Sequence, residues 1–286
     1  MARVIIGQVD KSMSVEKYVS FAAQSFTLPD LCLRIRNVLD DHRSDTDDIA
    51  RMISVDPSLS AKILRLANSA LFRFPSQIES IPKAINVIGG EALYNLVIAE
   101  TANSAFKCFE SGLIRLDKHW HSSVYCGMAG KYLAKQSRVR ASERFFVMGI
   151  LMNLSELVIA KCSPDEYQAY LSDEHPGLPW EKQKKYFNFT FAECSGTIME
   201  SWKLPLPLFF PVKNAHNPHK QAAERDIALI ACAQRITLRE NEPQEYGKLE
   251  LFTPEIAASL KVEGETLGNA VSFANTETQK IVNLIR

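Results

Sequence analysis

The sequence predicts an all-α protein. Apolar residues recur at helical spacing nearly throughout the chain. Helix start signals such as Asp56-Pro57, Ser163-Pro164 and Thr253-Pro254 punctuate it. Gly and Pro are few, 12 and 13 in 286 residues, while 46% of residues are apolar, enough for a well-formed core.

The first 25 residues read as an N-terminal arm carrying a short amphipathic helix over 14–23. Thr27-Leu28-Pro29-Asp30 starts a helix with Leu31, Ile35, Val38 and Leu39 on one face. Asp45 or Thr46 caps the next one, which presents Ile49, Met52 and Ile53. At Asp56-Pro57 the carboxylate accepts from the orphan N–H groups of the first turn, and Pro fits the first helical position. Ser80-Ile81-Pro82 opens a helix that breaks at Gly89-Gly90, and 91–106 makes a further one. Asp117 is expected to cap a helix holding Trp120, His121, Val124, Met128 and Tyr132.

The stretch FFVMGILMNLSELVIAK, residues 145–161, is the most apolar segment. Apolar side chains fall on almost every side of a helix drawn through it, which predicts a continuous central core helix. Asn153, Ser155 and Glu156 interrupt the run, so a membrane span is not expected. Beyond it, short helices are expected after Ser163-Pro164 and over 180–187. Thr190 to Glu193 reads as a capping box. LPLPLFFPVKNAHNPHK carries four prolines and cannot be one regular helix. A long helix is expected over 220–239, then a polar loop and two last helices starting near Thr253-Pro254 and Glu265. The natural division is an arm (1–25), an N-terminal helical half (26–110), a second helical half (111–240) and C-terminal helices packed on the domain (241–286).

Formal net charge is zero and the pI is about 7, so the basic excess of a constitutive nucleic-acid binder is missing. The six cysteines are scattered and form no CxxC. With only a short apolar patch in MARVIIGQVDKS, they read as reduced, mostly buried thiols of a cytoplasmic protein.

Motifs of common chemistries are missing. Neither HExxH, GxSxG, GxxxxGK[ST] nor GxGxxG occurs. The histidines are His42, His119, His121, His175, His216 and His219. His119 and His121, two apart, point to different helix faces; His216 and His219 can share a face but sit in the Pro-rich stretch. Each reads first as a surface or hydrogen-bonded residue. Lys131, Lys135, Arg138, Arg140 and Arg144 form a basic cluster, read as a solvated helix end or as a contact for phosphate or an acidic partner. Arg65, Asn68 and Ser69 end a helix with the aromatic loop Leu71-Phe72-Arg73-Phe74-Pro75 attached. There Asn and Ser satisfy terminal carbonyls, and Arg65, Asn68, Phe72 and Phe74 are a possible partner surface.

The stretch DPSLSAKILRLANSALFRFPSQIESIPKAINVIGGEALYNLVIA, residues 56–99, closely resembles the HDOD family, the HD-related output domains of bacterial signalling proteins. The likeness continues through Leu28-Pro29, Trp120-His121-Ser122 and Trp202 to Pro205, and covers about residues 20–240. The family is similar to the HD superfamily of metal-dependent phosphohydrolases, and the resemblance places that superfamily's metal positions on this chain. The first His falls on His121, the His-Asp dipeptide on Met152-Asn153, a further His near Phe191, and the last pair near Ala215-His216. A hard divalent ion needs the carboxylate and imidazoles of such a set, whereas Met152 offers a thioether, Asn153 a neutral amide and Phe191 nothing. The resemblance therefore implies an HD-like helical bundle with a degenerate metal site and no cofactor. It further implies a non-enzymatic bacterial signalling module acting through protein partners. A phosphohydrolase with an atypical site, or a nucleotide sensor using the vacated pocket near Asn153 and the Arg138–Arg144 cluster, are the alternatives.

Overall fold

The computed structural model describes residues 14–41, 46–174 and 177–285. Those residues are helical with no strand. The expected cap Asp45, with His42 and His175, lies outside them.

The first six helices are α1 (Val15–Ser25), α2 (Asp30–Asp40), α3 (Thr46–Ser54), α4 (Pro57–Ala67), α5 (Ile81–Ile88) and α6 (Gly90–Cys108). Their boundaries follow local chemistry. The Asp56 carboxylate accepts from the N–H groups of Ser58 and Leu59, and the Ser80 hydroxyl from Lys83. Gly89, at φ 83°, separates α5 from α6 in a conformation that a Cβ would strain. After α4, Asn68 staples the loop. Its Nδ2 donates to the carbonyls of Leu64 and Ile78, and its Oδ1 accepts from the Ile78 N–H.

The second group comprises α7 (Leu116–Gln136), α8 (Arg144–Leu151), α9 (Leu154–Cys162), α10 (Pro164–Leu171), α11 (Pro179–Phe187), α12 (Phe191–Ser201), α13 (Leu206–Lys213), α14 (Pro218–Ala223) and α15 (Arg225–Asn241). The chain ends with α16 (Pro243–Tyr246), α17 (Pro254–Ser259) and α18 (Gly264–Ile285). The hub is α7, which packs along α8, α15 and α18. One hydrophobic core runs through both groups, from Tyr18 to Val282. Even α1 belongs to it. That helix lies on α9 and α12, with Lys17 Nζ and the Tyr18 hydroxyl donating to Ser163 Oγ at 2.8 and 3.2 Å.

The helices α7 and α8 cross very closely at two glycines. A Cβ on Gly149 would lie 2.2 Å from Gly127 N, and one on Gly127 would lie 2.5 Å from Phe146 O. This backbone-to-backbone contact brings the end of α8 against the middle of α7.

Three expectations need correction. The central helix is not continuous: it breaks at Met152–Asn153 into α8 and α9. Ser155 N–H donates to Ser195 Oγ at 2.9 Å instead of to the preceding turn, and Ser155 Oγ donates to the Phe191 carbonyl. The apolar stretch Arg144–Cys162 is long and apolar enough to cross a membrane, yet 78% of it is buried inside the fold. The helix expected over 220–239 is likewise two, parted at Glu224 with extended backbone (φ −121°, ψ 112°). Finally, Asp117 sits inside the first turn of α7, paired with Arg115 at 2.9 Å, rather than at the cap. The four-proline stretch does divide, into α13 and α14, although α13 runs through Pro211.

Candidate functional site

The break at Asn153 opens onto a cavity of about 710 Å³. α7 contributes His119, Ser122 and Ser123; the α8–α9 junction contributes Asn153 and Glu156. Trp180 and Gln183 come from α11, Phe191 from α12, Gln234 and Asn241 from α15, and Glu242, Glu245 and Tyr246 from the start and body of α16. Tyr170 closes a further side.

Hydrogen-bond directions in this cavity can be followed atom by atom. Gln234 Nε2 donates to Asn153 Oδ1 at 3.5 Å, which leaves Gln234 Oε1 to accept from His216 Nε2 at 2.5 Å. His216 also stacks on Trp180, with centroids 4.5 Å apart at 17°. Enclosure there pulls the imidazole down to about 4, so the ring is neutral at pH 7. Gln183 Oε1 holds the Phe191 N–H at 2.8 Å, and Asn241 Nδ2 donates to Ser122 Oγ at 2.9 Å. Asn153, Gln234, Gln183 and Asn241 are thus each held by another neutral group.

His119 is buried, with Nδ1 3.3 Å from Glu156 Oε2, and Glu156 Oε1 accepts from the Tyr167 hydroxyl. The carboxylate fixes the ring proton on Nδ1, so in the neutral ring Nε2 is an acceptor, and it has no partner. At the rim, Glu242 has its pKa raised by desolvation, with Glu245 and Glu156 adding repulsion against the opposing pull of Lys118.

The residues singled out from sequence are only partly brought together. Asn153 and Phe191 line the cavity, and His216 reaches it through Gln234. Met152 is fully buried in the core and does not line the cavity. His121 lies on another side of α7, its ring 6.4 Å from Tyr125, in a neighbouring cleft of about 330 Å³ with Arg115, Asp117 and Gln279. Two helix positions are about 200° apart, so His119 takes the cavity side that His121 cannot. His219 is exposed and joins no site. Sequence reasoning missed His119, Glu156 and Gln234. For the first two, the helical phase shared with Ser122 and Asn153 was an available signal; for Gln234 there was none.

The metal set of an HD-type hydrolase does not fit these residues. The one oxygen of Asn153 faces the Gln234 amide, the thioether of Met152 is sealed in the core, and His121 is on another face. Among the described residues no group of three or more His, Cys, Asp or Glu converges as a metal site.

The basic cluster does not line the cavity either. Arg144 pairs with Asp226 and donates to the Arg140 carbonyl, and Lys131 is buried with its Nζ 5.5 Å from the Phe72 ring. In the aromatic loop, Phe72 stacks on Phe74 at 6.0 Å and packs half-buried on the core, while Arg65, Asn68 and Phe74 are exposed.

A family model, the HDOD domain, matches residues 26–218. The chain belongs to the HDOD family. An uncharacterized protein of Treponema pallidum (strain Nichols) is 24% identical over 263 residues. The match takes in 87% of this chain, which spans about half the length of that relative. Among solved structures, a Shewanella amazonensis SB2B protein provisionally named a phosphohydrolase superposes with a TM-score of 0.72 at 22% identity, covering 96% of this chain and all of that one. An HDOD domain protein of unknown function from Geobacter sulfurreducens gives 0.62 at 21%, covering 95% and 98%. A Marinobacter aquaeolei VT8 protein, provisionally named a signal transduction protein, gives 0.67 at 17%, covering 97% and 67%. At these identities the likeness establishes the shared helical fold.

Proposed function

We propose that this HDOD chain is a non-catalytic output module of a bacterial signalling pathway, working through contacts with protein partners. The observation that carries the reading is the pairing of Asn153 with Gln234. An amide oxygen already engaged by another amide is a poor ligand for a hard divalent ion, and it cannot bridge two of them as a carboxylate does. The name of the Marinobacter neighbour agrees with a signalling role, and that of the Shewanella neighbour points to the hydrolase alternative. The donor set of this cavity favours the first. A nucleotide-sensing role loses support because the basic Arg138–Arg144 cluster lies away from the cavity and the rim is acidic.

The test is turnover. Mononucleotide and cyclic-dinucleotide substrates are incubated with the purified protein and Mg²⁺, Mn²⁺ or Fe²⁺. The expected result is hydrolysis no faster than in buffer with metal. Metal-dependent turnover that disappears in Asn153→Ala overturns the reading. For the partner surface, Phe74→Ser is the cleaner probe of the exposed aromatic, because Phe72 also packs on the core.

A further inference from the structure

The same cavity has a chemical character that neither the fold nor a missing metal explains. Its volume, about 710 Å³, is that of a site for a drug-sized molecule. Its inner wall is neutral: the Asn153–Gln234 amide pair, Phe191, and Trp180. Both contacts to the Trp180 ring come from within the protein, His216 stacked on it and the Arg235 guanidinium 5.3 Å from its centroid.

The charged groups divide unevenly. On the basic side, Arg115 is paired with Asp117, and Lys182 is held by the Asp173 carbonyl with its ammonium 4.8 Å over Tyr170. Lys118 remains. On the acidic side, Asp173 pairs with Lys185, and Glu156 holds His119. Glu242 and Glu245 line the rim beside Tyr246, which hydrogen-bonds Glu245, and among the described residues neither is in salt-bridge contact with a cation. Two neighbouring carboxylates at the edge of a low-dielectric cavity repel each other, and a bound cation relieves both. On the wall, the His119 ring is more than nine-tenths buried and held at Nδ1 by Glu156. Carboxylates at the rim of an aromatic and amide wall suit a hydrogen-bond donor carrying positive charge, and repel phosphate.

We infer that the cavity binds a small organic cation, an ammonium or guanidinium group on an apolar body, with its charge at the Glu242–Glu245 rim and its body against the aromatic and amide wall. This extends the signalling reading by giving the module an input site of stated chemistry. Its test needs no metal and no turnover, so the two readings fail separately.

Three ligands of one shape and different charge decide it: phenethylamine, 2-phenylethanol and phenylacetate, titrated calorimetrically and by thermal shift against the full chain. Phenethylamine is expected to bind about tenfold more tightly than 2-phenylethanol, with phenylacetate weakest. In Glu242→Gln/Glu245→Gln, a change of two surface residues, the amine's advantage should shrink to within about twofold while 2-phenylethanol binding is unchanged. Equal binding of amine and alcohol, preference for phenylacetate, an amine preference that survives in the double variant, or no binding by any probe overturns the inference.

Discussion

Gly149→Ala is a small change with a large expected effect. The added Cβ would lie 2.2 Å from Gly127 N, 2.4 Å from Gly127 Cα and 2.6 Å from Cys126 C. Non-bonded carbon contacts are comfortable near ~3.5 Å, so α7 and α8 would have to separate by roughly 1 Å. What stands in the way is backbone, which cannot rotate aside as a side chain can. Overpacking of a core costs about 1–3 kcal/mol, and this site belongs at the upper end. For a chain of this size, each kcal/mol lowers Tm by roughly 2–4 °C, so a fall of about 6–12 °C is expected. Differential scanning calorimetry measures it. Gly268→Ala in α18 is the matched control, because its Cβ meets nothing within 4 Å. That change should leave stability unaltered or raise it by about 0.5–1 kcal/mol through helix propensity. A Gly149→Ala protein melting within 1 °C of the wild type would refute the close crossing, and with it the account of how Asn153 is placed.

Asn68→Ala removes two hydrogen bonds that join the end of α4 to Ile78 and a third to the Leu64 carbonyl. Its urea midpoint should correspond to a loss of about 1–3 kcal/mol, whereas an unchanged midpoint would mean the loop is held by its aromatics alone. Lys131 is lowered to about 7, first by desolvation and then by Lys135. A depressed ammonium means the unfolded chain binds more protons between about pH 7 and the ordinary lysine value, so stability should climb with pH across that window. Urea unfolding at pH 7, 8 and 9 should show that climb in wild type and a shallower one in Lys131→Met; parallel slopes would contradict it.

How legible each feature was in sequence depends on how far away its partners lie. The caps at Asp56 and Ser80 and the break at Gly89 were readable because the bonds that decide them reach only two or three residues. So was the role of Asn68 in fixing its own loop. The break at Asn153 was not, because it depends on Ser195, forty positions away in sequence. Periodicity alone makes 145–161 one helix. The Gly127–Gly149 crossing is invisible for the same reason, since a glycine in a helix pattern reads as a weakness until its partner is known. Of the candidate site, the resemblance drew attention to Asn153 and Phe191, which line one cavity. It could not supply Gln234 and Glu242, whose roles arise only when α15 and α16 fold back over the α8–α9 junction. Nor could charge patterning show that the Arg138–Arg144 cluster and the cavity are apart.

The central claim is that the Asn153–Gln234 pair leaves no centre for a catalytic metal. Equilibrium dialysis of the full chain against Mn²⁺, followed by metal analysis of the protein, tests it directly. The account predicts well under one ion per chain, unchanged in Asn153→Ala. One or two ions per chain, lost in that variant, would contradict it.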